Sequence, residues 1–166
     1  IPTLLRGTLR KAGYCEAWDV FVQLGMTDDT YIIPESEKLS IRELVESFLP
    51  HRKGNTQNRL AGYLGIPLQG EIMAKLEWLG LFEDIKLNIR NASPALLLQA
   101  LLENKWRLKE GDIDMIVMQH QFEYDIKGKT HKSLSSLVVK GDDNISTAMS
   151  KTVGLPVGII TKLILE

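Results

Sequence analysis

Three observations predict an α+β fold for this chain of 166 residues. Apolar residues recur at helical spacing through the middle, from Tyr14 to Trp106. The period then switches to two between Ile113 and Lys140, as in strands. A helical pattern returns over Ser146 to Leu165. The charged fraction of 25% and hydrophobic fraction of 44% are globular averages, which excludes wholesale disorder. A helical lobe of about four helices between extended segments follows.

Each element has its own signal. Thr3 to Leu9 reads as a strand. Tyr14, Trp18, Phe21 and Val22 follow a 3.6 spacing and Gly25 supplies a stop. The polar stretch Thr27 to Lys38, with Pro34, is a loop. Ser40 and Glu43 form a capping box for a helix from Ile41 to Leu49 that Pro50 ends. His51 to Asn58 is a polar connection, and Arg59 to Leu68 is short and interrupted by Gly62, Gly65 and Pro67. Helix resumes from Glu71 to Leu79, closed by Gly80. Ser93 caps another with Pro94 in its first position, running to about Trp106.

The strand Ile113 to Tyr124 alternates Ile116, Met118, His120, Phe122 and Tyr124 with Val117, Gln119, Gln121 and Glu123, as a half-buried strand should. A turn at Asp125–Lys129 leads into a return strand, Thr130 to Lys140. After the polar loop 141–144, two short helices are expected around a break at Gly154-Leu155-Pro156. Trp18, Trp78 and Trp106 lie on helical stripes and are expected in the core. Cys15, the single cysteine, is expected to be a small buried residue, and it excludes a disulfide framework.

Composition narrows function. A formal net charge of −1 argues against a nucleic-acid or membrane-surface partner. The apolar runs look too short to cross a bilayer, and a cytoplasmic setting is the default. His51, His120 and His131 are far apart and Cys15 has no ligand partner at metal spacing, so no metal site is expected. The G-x-G-x-x-G, P-loop and G-x-S-x-G patterns are absent. The second half of Ser146–Leu165 is apolar on nearly every side, unlike the basic face of a DNA-reading helix. The chain looks cut from a larger fold, since it opens on Ile1-Pro2 in an apolar extended run and ends in mid-helical pattern.

The richest local pattern is Arg6-Gly7-Thr8-Leu9-Arg10. In an extended segment Arg6, Thr8 and Arg10 share a face. Two guanidiniums flanking a hydroxyl make an anion cradle, because each fork matches a carboxylate bidentately. Gly7 leaves room for a ligand or a neighbouring backbone, and Lys11 adds positive field. A charged edge strand guarding against aggregation explains the same residues, and the local pattern leaves both readings open.

Two stretches resemble the saccharopine dehydrogenases (glutamate-forming). Gly7-Thr8-Leu9-Arg10 followed by Gly13-Tyr14 is similar to that family's G-T-L-R-(aromatic)-x-G-(aromatic) run. Thr147-Ala148-Met149-Ser150-Lys151-Thr152-Val153-Gly154-Leu155-Pro156 is similar to its S-A-M-A-K-T-V-G-L-P run, and Lys162-Leu163-Ile164-Leu165 is alike too. Asp114 to Gly141 looks like the family's hairpin. Lys11 departs from the pattern, standing where an aromatic is usual, and Thr147 and Ser150 replace Ser and Ala.

The resemblance implies a parent with a dinucleotide-binding Rossmann domain, then a mixed α/β substrate-binding and dimerisation sheet interrupted by a helical lobe. Residues 1–12 would be a strand of that sheet, 13–111 the lobe, 112–142 the returning hairpin, and 143–166 helices that rejoin the dinucleotide domain. It implies an enzyme that interconverts saccharopine with glutamate and 2-aminoadipate semialdehyde, using NADP or NAD bound by the N-terminal domain. Gly7, Thr8, Leu9 and Arg10 would bind substrate, with Arg10 as carboxylate fork. No catalytic, cofactor-binding or metal residue is expected within these 166 positions, and a homodimer is implied. Related carboxynorspermidine dehydrogenases share the fold, and a non-catalytic dimerisation module built on the hairpin is the competing class.

Overall fold

The computed structural model describes residues 2–166. Its elements run α1 (Tyr14–Leu24), a 3₁₀ turn (Ser36–Lys38), α2 (Ile41–Phe48), α3 (Thr56–Leu64), α4 (Glu71–Leu79), α5 (Pro94–Trp106), β1 (Met115–Ile126), β2 (Lys129–Lys140) and α6 (Ala148–Leu165). The chain divides into two compact units, Ile1–Trp106 and Arg107–Glu166.

The first unit is the helical lobe. Phe21, Leu24, Met26, Ile41, Leu44, Val45, Leu60, Met73, Leu76, Leu79, Leu81, Leu97, Leu98 and Leu101 form its core, so all five helices contribute. Helix ends follow local chemistry. Gly25 and Gly80, at φ 80 and 90, end α1 and α4 as stop residues. Ser40 accepts from the Glu43 amide at 3.2 Å while the Glu43 carboxylate accepts from the Ser40 amide at 2.8 Å, completing the capping box. The Ser93 hydroxyl accepts from Leu96 N–H at 3.2 Å, ahead of Pro94. The buried Ser36 hydroxyl donates to Ile89 O (2.7 Å) and accepts from Ala92 N–H (2.9 Å), fastening the 28–40 loop to the 89–92 segment.

One helix starts earlier than the sequence suggests. Asn55 caps α3 through Asn58 N–H at 2.8 Å, so the polar run Thr56-Gln57-Asn58 is helical. Thr56 is buried and donates to Glu46. Arg59 reaches the Pro50 carbonyl at 3.2 Å, which closes the 49–55 connection. These residues were unreadable as helix because their contribution is tertiary: they tie α3 to α2.

Other expectations are corrected. Cys15 is exposed, because the stripe of α1 that turns inward is Trp18, Phe21 and Leu24. Trp78 and Trp106 are 60% and 51% exposed. The Trp78 ring carries Lys105 Nζ 5.7 Å above its centroid, so this indole is covered by a cation rather than buried in apolar packing. Trp18 packs against the core as expected. Residues 2–11 form no strand: a strand needs a partner for its backbone groups, and none is present among the described residues.

The second unit is an antiparallel hairpin followed by one helix. The register pairs Ile116 with Val139, Met118 with Leu137 and Tyr124 with His131. Lys127 and Gly128, at φ 48 and 75, make a two-residue turn of the primed class that suits strand twist. The strands are exposed on both faces, not half-buried: Val117 and Leu134 are 66% and 64% exposed on one, and Phe122 is 53% exposed on the other.

The expected break at Gly154-Leu155-Pro156 does not occur, and α6 is one helix of 18 residues with Pro156 inside it. Proline's fixed φ is helical, and its cost is the lost bond and crowding one turn earlier. On a helix exposed along residues 153–166, water can solvate the carbonyl left free. By length and composition α6 is apolar enough to cross a membrane, at mean hydropathy 1.4, which corrects the expectation that every apolar run is too short.

Candidate functional site

The predicted substrate residues Gly7, Thr8, Leu9 and Arg10 lie in an exposed stretch without regular secondary structure. A Cβ on Gly7 would meet nothing within 4 Å, so the space it leaves is open. Thr8 has no side-chain hydrogen bond among the described residues, and Leu9 is 96% exposed. Arg10 alone is held. One Nη1 donates to Leu9 O at 3.2 Å, and the guanidinium carbon sits 5.3 Å from the centroid of the Tyr14 ring. Arg10 makes no ion pair with a lobe carboxylate among the described residues.

The segment is anchored where it enters α1. Gly13 caps that helix at φ 75, a conformation that suits glycine. A Cβ there would collide with the Lys75 ammonium, which pairs with Glu71 and donates to Ala12 O at 3.5 Å. Tyr14 N–H donates to Lys11 O at 3.1 Å, closing the turn. Arg6, Arg10 and Lys11 thus project from a short tether fixed at the N-terminus of α1. The arrangement offers donors for carboxylates and offers no acid–base pair.

A second built feature joins hairpin and helix. The Asp114 carboxylate accepts from Ala148 N–H (2.6 Å) and Met149 N–H (2.9 Å), and its own carbonyl accepts from Gly141 N–H (3.0 Å). Thr147 caps the next amide, accepting from Ser150 N–H at 3.0 Å. Asp143 accepts from Ile145 and Ser146 N–H at 2.8 and 2.6 Å, and Lys151 pairs with Asp142 at 2.7 Å. The Ala148 amide holds the Asp114 carboxyl below its usual range, helped by Met149 and Lys151 and opposed by desolvation. The Asp143 carboxyl is lowered in the same sense, chiefly by the Ser146 amide. Asp114 was not a sequence candidate: its partners lie more than thirty residues ahead, and only the break in strand alternation marks it.

A dinucleotide's pyrophosphate needs free amides at a helix N-terminus following a strand. At α6, which follows β2, the first amides are already taken by Asp114 and Thr147, and a phosphate would face a carboxylate. The residues here do not fit that group. No cluster of three metal-ligating side chains occurs among the described residues either.

Comparison with known proteins decides the family. The family model for the saccharopine dehydrogenase C-terminal domain matches residues 1–166. The chain belongs to that family. It is 31% identical over 174 residues to the saccharopine dehydrogenase [NADP(+), L-glutamate-forming] of Schizosaccharomyces pombe, covering 99% of this chain and 38% of that protein. It is 32% identical over 170 residues to the mitochondrial alpha-aminoadipic semialdehyde synthase of Rattus norvegicus, covering 99% of this chain and 18% of that protein. The apo saccharopine dehydrogenase (L-Glu forming) from Saccharomyces cerevisiae superposes with a TM-score of 0.72 at 30% identity, over 96% of this chain and 37% of the other. This saccharopine dehydrogenase C-terminal domain therefore spans well under half the length of the relatives it matches.

Proposed function

We propose that this domain is the C-terminal part of a saccharopine dehydrogenase of lysine metabolism, which interconverts saccharopine with glutamate and 2-aminoadipate semialdehyde. The reading rests on the family match along all 166 residues. The nicotinamide cofactor, NADP or NAD, supplies hydride chemistry from the enzyme's own N-terminal domain. This domain binds and orients. Saccharopine carries three carboxylates, and the Arg10 fork takes one, with Thr8 and the backbone of Gly7 and Leu9 completing that wall. Residues 1–12 complete the substrate-binding sheet only where the rest of the enzyme supplies a neighbouring strand, with 112–142 as its returning hairpin and 143–166 as the segment that packs on the dinucleotide domain. The exposed apolar faces of hairpin and α6 support those contacts. The hairpin also supports a homodimer in a cytoplasmic enzyme.

Two measurements test the reading. The full-length protein should oxidise saccharopine with a nicotinamide cofactor, and the 166-residue chain alone should not; activity in the isolated chain refutes the assignment of chemistry to the other domain. In the full-length protein Arg10→Ala should cost about 2–4 kcal/mol in substrate binding, as for a buried hydrogen-bonded charge pair losing one partner. Unchanged KM and kcat would remove Arg10 from the site.

A further inference from the structure

The charged tether and the lobe core are linked by a single aromatic ladder. Arg10, Tyr14 and Trp18 succeed one another at intervals of four residues, with Phe21 three further on, so from Tyr14 onward they share one face of α1. The Arg10 guanidinium lies 5.3 Å from the Tyr14 centroid. The Tyr14 ring stacks on Trp18 at 6.0 Å with an interplanar angle of 8°. Trp18 meets Phe21 edge-on at 5.7 Å and 77°. Phe21 is 4% exposed and belongs to the core. Each ring is thus held by the one below it, and the top ring holds a cation. Gly13, at φ 75, folds the chain so that Arg10 lies over the helix instead of extending away from it.

Arginine has large rotamer entropy, and freezing it at the moment of binding weakens binding. A guanidinium laid against an aromatic ring is restrained in advance, while the N–H donors around its edge stay available to a carboxylate. Arg10 spends one donor on Leu9 O and keeps the others.

We propose that Tyr14 is a positioning residue that pre-orients Arg10 for a substrate carboxylate. This inference rests on the reading of Arg10 as the substrate fork, and acts through it: Tyr14 itself touches no substrate.

The test uses full-length protein, saccharopine and nicotinamide cofactor. Tyr14→Leu should raise the KM for saccharopine about 3- to 30-fold, the range of a cation–π contact, with kcat changed by less than about 3-fold. Tyr14→Phe keeps the ring and should stay within about 2-fold of the parent. In an Arg10→Ala background Tyr14→Leu should add nothing to KM, whereas a merely structural effect on α1 would add. In the 166-residue chain the Arg10 δ-methylene protons should be shifted upfield by the Tyr14 ring current and should lose that shift in Tyr14→Leu. Random-coil shifts in the parent, or additive KM effects in the double variant, overturn the inference. An Arg10→Ala variant with parental KM overturns the substrate-fork reading instead, and an effect of Arg10→Ala without any effect of Tyr14→Leu overturns only the positioning role.

Discussion

The two units handle apolar residues in opposite ways. In Ile1–Trp106 the leucines and methionines of five helices converge, and Leu60, Met73, Leu76 and Leu81 are at most 1% exposed. In Arg107–Glu166 the strands and α6 carry comparable residues, yet Val138, Ile160 and Leu163 are 62%, 57% and 69% exposed. The first unit is held by burial. The second is held by directed bonds: strand pairing, the primed turn, and the Asp114 carboxylate on the first amides of α6. A two-stranded hairpin is marginal by itself in water, and exposed apolar surface on this scale marks an interaction site. One unit carries its own core, and the other presents surface for something else to cover.

The sharpest way to break this contrast is to remove equal apolar volume from each side. Leu76→Ala should destabilise the lobe by about 2–5 kcal/mol in a urea titration, from lost transfer energy and the cavity left. Ile160→Ala in the same isolated chain should cost under about 1 kcal/mol, since little burial is lost. Equal costs would mean that α6 is buried in solution. The isolated chain should self-associate through this exposed apolar surface, and Ile160→Lys should reduce that association, read by light scattering over a dilution series, while leaving lobe stability unchanged.

Next in size is the joint between hairpin and helix. A Cβ on Gly141 would press on Asp114 Oδ1, on Ala148 N at 3.1 Å and on Thr147 Cα at 3.2 Å. Gly141→Ala should therefore cost the second unit about 1–3 kcal/mol, the range for overpacking, with faster amide exchange at residues 148–152 and none added in the lobe. Protection retained at 148–152 would show that the joint has slack.

The same joint predicts a pH dependence. The folded-state carboxyls of Asp114 and Asp143 are lowered, so their contribution is present above the ordinary carboxylate range near pH 4 and is lost as pH falls through their folded values. Backbone carbon shifts at 148–152 should move toward coil below about pH 4 while the lobe helices hold. Asp114→Asn should flatten most of that change, and a full response in that variant would place the titration elsewhere.

The smallest effect concerns the turn. Lys127 sits at φ 48, which asparagine adopts more readily. Lys127→Asn should stabilise the hairpin by less than about 1 kcal/mol, visible as larger cross-strand shifts at Ile126 and Lys129. A loss would mean that the Lys127 side chain contributes more than its backbone.

What the sequence determined by itself was whatever depends on neighbours in the chain. The Ser40–Glu43 capping box, the glycine stops at 25 and 80, the Ser93-Pro94 start and the change of period at the hairpin all act within a few residues, so their physics is written locally. The α+β class followed from them, and the family resemblance from the runs Gly7–Tyr14 and Thr147–Pro156. Tertiary structure decided the rest. The start of α3 depends on Thr56 meeting Glu46, the exposure of Cys15 and Trp78 on which helical stripe meets the core, and the continuity of α6 on how much water surrounds Pro156. Asp114 became visible only when folding brought it to amides thirty-four and thirty-five residues away. For the candidate site, the run from Gly7 to Arg10 was legible as donors without an acceptor. That Arg10 rests on Tyr14, and through it on the core, could come only from the fold, because a guanidinium finds a ring by position in space and not by composition.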